Sequence, residues 1–248
     1  MVIVEPGAAT NAQLLLWALP ALFACVCAIW PFGARQRREE PEQEEEAESP
    51  GEPGENEIDY VDWGVRLGTL GKTDRAAEQF KRAVQQDESD PVAHYNLALA
   101  LDEMGQHEEA GEHYKRAAKL TSDSQDIEVN LGVSLLMLGD HRSAIEHLEN
   151  AVQSSADDPL AHFDLGCAHM KDGDFKQAAS SFREAVNADP KDPRTRFNLA
   201  VALRKAGCAD LAESELRDFL ALAGPRFPDH RRCVELVLEH EYQDGEGD

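Results

Sequence analysis

Basic residues are in short supply in this chain. There are 24 Lys and Arg against 48 Asp and Glu, a formal net charge of −24 over 248 residues. Duplex nucleic acid is bound by neutralising phosphates with Lys and Arg, so this balance argues strongly against a nonspecific nucleic-acid binder. Cysteine is scarce too: there are five, an odd number, with no Cys-x-x-Cys pair. Neither a disulfide framework nor a zinc ribbon is supported. Aromatic residues make up 6%, which suits helices better than a β-sandwich. With 42% hydrophobic and 29% charged residues, the chain as a whole is neither disordered nor a multi-span membrane protein. The length allows one or two domains.

Charge is absent altogether between Glu5 and Arg35. Inside that gap residues 14–32 read LLLWALPALFACVCAIWPF. A helix of this length rises about 28 Å, enough to cross a hydrocarbon core of about 30 Å. Trp17 and Trp30 stand near its two ends, where indoles favour the membrane interface. Residues 14–32 are therefore expected to form one transmembrane helix. Arg35, Arg37 and Arg38 follow the span, while residues 1–13 hold no Lys or Arg. The positive-inside rule puts a short N-terminus (1–13) outside and the rest of the chain on the cytoplasmic side of a single-pass protein. A cleaved signal peptide or a lipoprotein remains an alternative, through Val26-Cys27-Ala28 or Leu22-Phe23-Ala24-Cys25, although both lack a basic leader. Residues 33–56, rich in Glu, Pro and Gly, read as an acidic disordered linker.

From Glu57 the sequence repeats every 34 residues: 57–90, 91–124, 125–158, 159–192 and 193–226. The eighth position is always small: Gly64, Ala98, Gly132, Gly166, Ala200. The fifteenth is always glycine, from Gly71 to Gly207, and the twentieth always alanine, from Ala76 to Ala212. Position twenty-four is large: Phe80, Tyr114, Leu148, Phe182, Leu216. Two helical segments fit in each unit, with the glycine supplying the positive φ of a helix C-terminus. The small residues allow two antiparallel helices to approach closely, and the large ones fill the space beside them. Asp90-Pro91, Asp158-Pro159 and Asp192-Pro193 place a capping acid before a first-turn proline. One such pair cannot bury its apolar face alone, so successive pairs are expected to stack.

These residues resemble the tetratricopeptide repeat family over 57–226. The resemblance implies an all-α solenoid of five helix-turn-helix repeats. Phe219 replaces the family's alanine at position twenty-seven and is expected to mark the last repeat. Residues 227–248 are then a capping helix, with Val234, Leu236, Val237 and Leu238 as its apolar face, and an acidic tail.

Three chemical motifs fail on inspection. Gly71-Lys72-Thr73 lacks the glycine that a phosphate loop needs five residues earlier, where Arg66 stands. Histidines recur in phase (His94 with His162, His107 with His141, His113 with His147), which points to shared packing rather than a metal ladder. Cys167, Cys208 and Cys233 read as small core residues. No catalytic residue, metal or cofactor is expected, and the chain is read as a binding protein rather than an enzyme.

In tetratricopeptide proteins the first helix of each unit lines a concave groove, with positions two, five, nine and twelve inward. The resemblance therefore implies a partner-binding groove built from Val61, Val65, Tyr95, Leu99, Val129, Val133, Leu136, Phe163, Met170, Phe197 and Val201, with Arg194 and Arg204 at a basic end. The ladder is mostly apolar. It lacks the Lys and Asn clamp with which chaperone-binding members hold a terminal carboxylate, since Val61, Val65 and Leu99 occupy those places. An amphipathic or apolar segment of a partner protein suits it better. The function expected is a membrane-anchored adaptor, in the assembly or biogenesis of a membrane-associated complex. A self-associating scaffold and an exported lipoprotein are the alternatives.

Overall fold

The computed structural model describes residues 59–121, 124–223, 227 and 234. Ten helices occur among them, in five pairs: α1 (Tyr60–Thr69) with α2 (Thr73–Gln86), α3 (Pro91–Glu103) with α4 (His107–Leu120), α5 (Gln125–Leu138) with α6 (His141–Ser154), α7 (Pro159–Asp172) with α8 (Phe175–Ala188), and α9 (Pro193–Lys205) with α10 (Ala209–Ala223). Each pair occupies one 34-residue unit, as the period predicts.

The ends of the helices follow from their sequence. Asp90, Asp158 and Asp192 cap α3, α7 and α9, each carboxylate accepting the N–H of the residue after the proline, at 2.8, 2.9 and 3.1 Å. Asp140 and Asp174 cap the second helices α6 and α8, each accepting the N–H three residues on, from Ser143 and Gln177. Each turn inside a pair closes on the glycine of position fifteen, with φ from 70° at Gly71 to 90° at Gly173. Only glycine takes that backbone conformation without a steric cost.

Within a pair, the closeness of the helices is set by positions eight and twenty-four. A Cβ added to Gly166 would lie 2.6 Å from Cδ1 of Phe182. One added to Gly64 would lie 2.4 Å from Cε1 of Phe80, and one on Gly132 2.6 Å from Cγ of Leu148. The missing methyl is thus filled by the large residue of the facing helix. Position twenty finishes the contact: Ala110, Ala144 and Ala178 are wholly buried.

The chain divides into two compact units, whose described parts run over 59–190 and 191–234. The first holds α1–α8. Each of these helices packs on its pair partner, each pair packs on the next within the unit, and the first helices also touch one another, α1 on α3, α3 on α5 and α5 on α7. Among the described residues the second helices do not approach each other as closely. The first helices therefore form an inner layer and the second helices an outer one.

The second unit holds α9 and α10. Phe219 is buried there against Phe197, with ring centroids 5.3 Å apart, and Phe227 and Val234 join the same cluster. The departure from alanine at position twenty-seven thus fills the core of the last pair. Of the expected capping segment, Val234 is described: it is helical and buried in this cluster. The rest of that segment lies outside the described residues. So do the expected transmembrane helix (14–32), the linker (33–56) and the acidic tail. Among the described residues no helix is long and apolar enough to cross a membrane.

One expectation is corrected. Cys208 is exposed, whereas Cys167 is buried as expected. Position sixteen lies in the turn after Gly207, where the Cys208 N–H bonds to the Leu203 carbonyl at 2.9 Å and the side chain is left outside the pair. Cys233 lies outside the described residues.

Candidate functional site: the inner helix face

In the first unit the inward positions fall into two groups. Val129, Val133 and Leu136 on α5 are 6%, 6% and 7% exposed and belong to the main core. Nine of the fourteen residues of α5 are apolar, counting Gly132, and 129–136 are buried without interruption. A helix that is hydrophobic all round is buried on all sides. These three residues are a floor and not an open surface. Val61, Tyr95 and Leu99 are partly buried and pack against that core, and Phe163 and Met170 are also half-buried. Val65 is open, at 42% exposure.

Two further open residues occupy position two, Val92 at 52% and Leu160 at 44%. They follow Pro91 and Pro159, and the signal in the sequence is an apolar residue where the first turn of a capped helix ordinarily meets water. Val65, Val92 and Leu160, with the half-buried Tyr95, Leu99, Phe163 and Met170, make the inner face of these repeats largely apolar.

A polar seam holds the first helices in register. Asn130 Nδ2 donates to the Tyr95 hydroxyl at 2.9 Å, joining α5 to α3. Ser134, wholly buried, donates its hydroxyl to the Asp102 carboxylate, with both oxygens within 2.6 Å. His107 Nδ1 lies 2.9 Å from the same carboxylate. Asp102 thereby ties α3, the start of α4 and α5 together. The buried Tyr114 hydroxyl behind it has no hydrogen-bond partner. Burial, with the Asp102 charge second, pushes the pKa of that phenol far above its usual range, so it stays neutral. Ser134 and Asn130 escape a reading by hydrophobic period. Their one signal is a small polar residue inside the otherwise apolar run of α5.

The arrangement is not a nucleophilic one. The Ser134 hydroxyl is bonded to a carboxylate rather than to an imidazole base, and it is shut off from solvent. Elsewhere three of the in-phase histidines, His94, His113 and His147, join the two helices of a pair. His94 Nδ1 faces His113 Nδ1 at 2.9 Å, and His147 Nδ1 meets Glu128 at 2.8 Å. Among the described residues no group of three or more His, Cys, Asp or Glu could hold a metal ion.

In the second unit, Phe197 is 2% exposed and is core, packed against Phe219. Val201 is partly buried against that core. Arg194 is drawn back onto its own cap, with Nε 2.9 Å from Asp192, and Arg204 is exposed. The first helix α9 carries four bases and no acid.

Comparison with known proteins accords with this geometry. The tetratricopeptide repeat family model matches residues 61–126, 129–193 and 163–229. Among solved structures, MamA 41-end from Desulfovibrio magneticus RS-1 is 21% identical, with a TM-score of 0.63, covering 66% of this chain and 93% of that one. YrrB, a TPR protein with an unusual peptide-binding site, is 22% identical with a TM-score of 0.62, covering 74% and 90%. TTC0263, a thermophilic TPR protein in Thermus thermophilus, is 24% identical with a TM-score of 0.55, covering 72% and 97%. At these identities the likeness is one of fold. No curated protein matches the chain.

Proposed function

This chain belongs to the tetratricopeptide repeat family, and on that premise we propose that it is a membrane-anchored scaffold whose inner helix face takes up an apolar or amphipathic segment of a partner protein. Its repeats make it a protein-binding solenoid and not an enzyme. The observation that carries the finer reading is the placement of open apolar side chains on three of the four first helices, α1, α3 and α7. Val65, Val92 and Leu160 are exposed at the same face as the half-buried Tyr95, Leu99, Phe163 and Met170. Each open aliphatic side chain covered by a partner contributes about 1.5–3 kcal/mol at most. Val129, Val133 and Leu136 form the floor beneath and act by holding the helices in place. YrrB has a peptide-binding site, and the same use of the fold is proposed here.

The anchor is the apolar segment 14–32, with the N-terminus outside and the repeats on the cytoplasmic side. The acidic linker 33–56 lets the repeats search near the membrane, which raises their effective concentration for partners held there. Assembly of a membrane-associated complex fits that layout. Carbonate extraction tests the anchor: the protein should stay in the pellet, and release into the supernatant would refute a spanning segment. Crosslinked pull-down from native membranes tests the groove. Val65→Glu/Val92→Glu changes two open residues, so helicity by circular dichroism should be unchanged while specific prey are lost. Retention of the same prey would place binding elsewhere.

A further inference from the structure

We propose that a second surface of the first unit, the edge formed by the turns inside its first three pairs, rests on the lipid bilayer. The proposal relies on the reading of residues 14–32 as a membrane anchor. Its basis is position fourteen, the residue before each turn glycine, which is Leu70, Met104 and Leu138 in the first three repeats. These three and Met137 are open, from 39% exposed at Leu70 to 49% at Leu138. Leu138 ends α5, and Leu70 and Met104 directly follow α1 and α3. The three helices touch in order, α1 on α3 and α3 on α5, and they end at the same place in the repeat. Their apolar tips therefore fall in a row, in steps of about 8–10 Å, the ordinary spacing of packed helices.

The turns stand clear of the protein: a Cβ built on Gly71, Gly105 or Gly139 meets nothing within 4 Å. A row of separate tips offers a folded partner no continuous patch, and each tip would need a pocket of its own. A lipid interface takes up each tip independently, with a strength that grows with the apolar area buried. Little charge has to follow them in. Positions thirteen to seventeen of these repeats hold one base, Lys72, and two acids, Glu103 and Asp140. Both acids are bonded within the protein, Glu103 to the Thr73 hydroxyl at 3.0 Å and Asp140 to the Ser143 N–H. Position fourteen becomes Asp172 in the fourth repeat and Ala206 in the fifth, so the large apolar tips belong to the repeats that follow the linker. The linker is long enough. The chain enters α1 at Asp59, and the ten residues of α1 set Leu70 about 15 Å from that entry. Read as a flexible chain, residues 33–56 span about 25–30 Å, so an anchor at 14–32 leaves the edge within reach of the membrane. Tethering makes the contact intramolecular, and a few side chains then suffice to hold it.

The test uses the full chain in phosphatidylcholine vesicles, with an environment-sensitive fluorescent amino acid at one site at a time. It replaces Met104 or Leu138 on the edge. As controls it replaces Val92, at the far end of α3 from Met104, or Arg82 on the outer helix α2. Emission from the two edge sites should shift to the blue and be largely quenched by nitroxide-labelled lipid, while the two control sites keep theirs. Leu70→Glu/Leu138→Glu should restore the emission of the probe at Met104, with helicity unchanged and the protein still floating with the vesicles. Persistent quenching in that variant, or equal quenching at all four sites, would mean proximity from the tether alone and would overturn the proposal. A blue shift at the edge without quenching by lipid would mean that a second copy covers it, which overturns the proposal too. Vesicle-bound protein unquenched at every site would overturn the docking edge and keep the anchor. Protein that fails to float with the vesicles would overturn the anchor and the proposal with it.

Discussion

His94 and His113 face each other across the second helical pair with their Nδ1 atoms 2.9 Å apart. The same two places of the repeat, positions four and twenty-three, hold Glu128 with His147 at 2.8 Å and Arg196 with Glu215 at 2.9 Å. The second repeat thus sets two imidazoles where the third and fifth set an acid against a base. His94 Nε2 lies 3.1 Å from the Glu88 carbonyl. Donation there by Nε2–H leaves its Nδ1 as acceptor for the His113 proton.

A pH dependence follows. Burial, and next the charge of His94, lower the pKa of His113 below 6.5, while Glu109 and Glu112 act the other way and Lys81 adds to the lowering. A depressed value in the folded state means that the unfolded chain binds more protons. The contribution is therefore fully present above pH 6.5 and is lost as the pH falls through the folded-state value. Burial lowers His169 in the same direction. The midpoint of thermal unfolding should drop between pH 7 and pH 5, and His113→Gln should make that drop smaller. An equal drop in the variant would remove His113 from the explanation.

Gly166 and Phe182 give a packing test. Gly166→Ala puts a methyl within 2.6 Å of the ring, and the ring, 1% exposed, has little room to yield. The expected loss is about 1–3 kcal/mol by urea denaturation. Smaller side chains at 182 should accept the methyl, so Gly166→Ala/Phe182→Leu should cost less than the sum of the two single changes. Strict additivity would show that the two positions do not share one space.

Gly173 tests backbone strain in open space. Nothing lies within 4 Å of a Cβ placed there, but φ is +90°. Gly173→Ala should destabilise by about 1 kcal/mol through conformation alone. No loss would mean that the turn relaxes to a different backbone.

Asp158 accepts the Leu160 N–H at 2.9 Å and also the side-chain amide of Gln125 at 2.6 Å. Asp158→Ala should cost about 1 kcal/mol or somewhat more, in line with helix caps generally. Asp158→Asn should recover most of it, since an amide oxygen still accepts the backbone bond. Equal losses in both variants would point to the charge instead of the cap.

What could be read in the sequence was local or periodic. Gly173 needs only its own φ, Asp158 only the next two residues, and Gly166 with Phe182 a fixed offset inside one unit. The division of the inner face was not legible, because it depends on neighbours from several helices. Val61 and Val129 share position five, yet the first is half-buried on α1 and the second is core on α5. The bond from Ser134 to Asp102 spans 32 residues and two repeats, and neither residue recurs at its position in the other units. Cys208 was misread because a small apolar side chain carries no mark of lying in a turn.

The central claim, that a partner segment lies on the inner helix face, is tested most directly by photocrosslinking in native membranes. A photoreactive phenylalanine analogue would replace Val92 or Leu160 on the inner layer, and Arg82 or Arg142 on the outer one. All four sites are exposed, so each should tolerate the change. Crosslinks to a common partner from Val92 and Leu160, and none from Arg82 and Arg142, are the expected result. Crosslinks from the outer pair alone would contradict it.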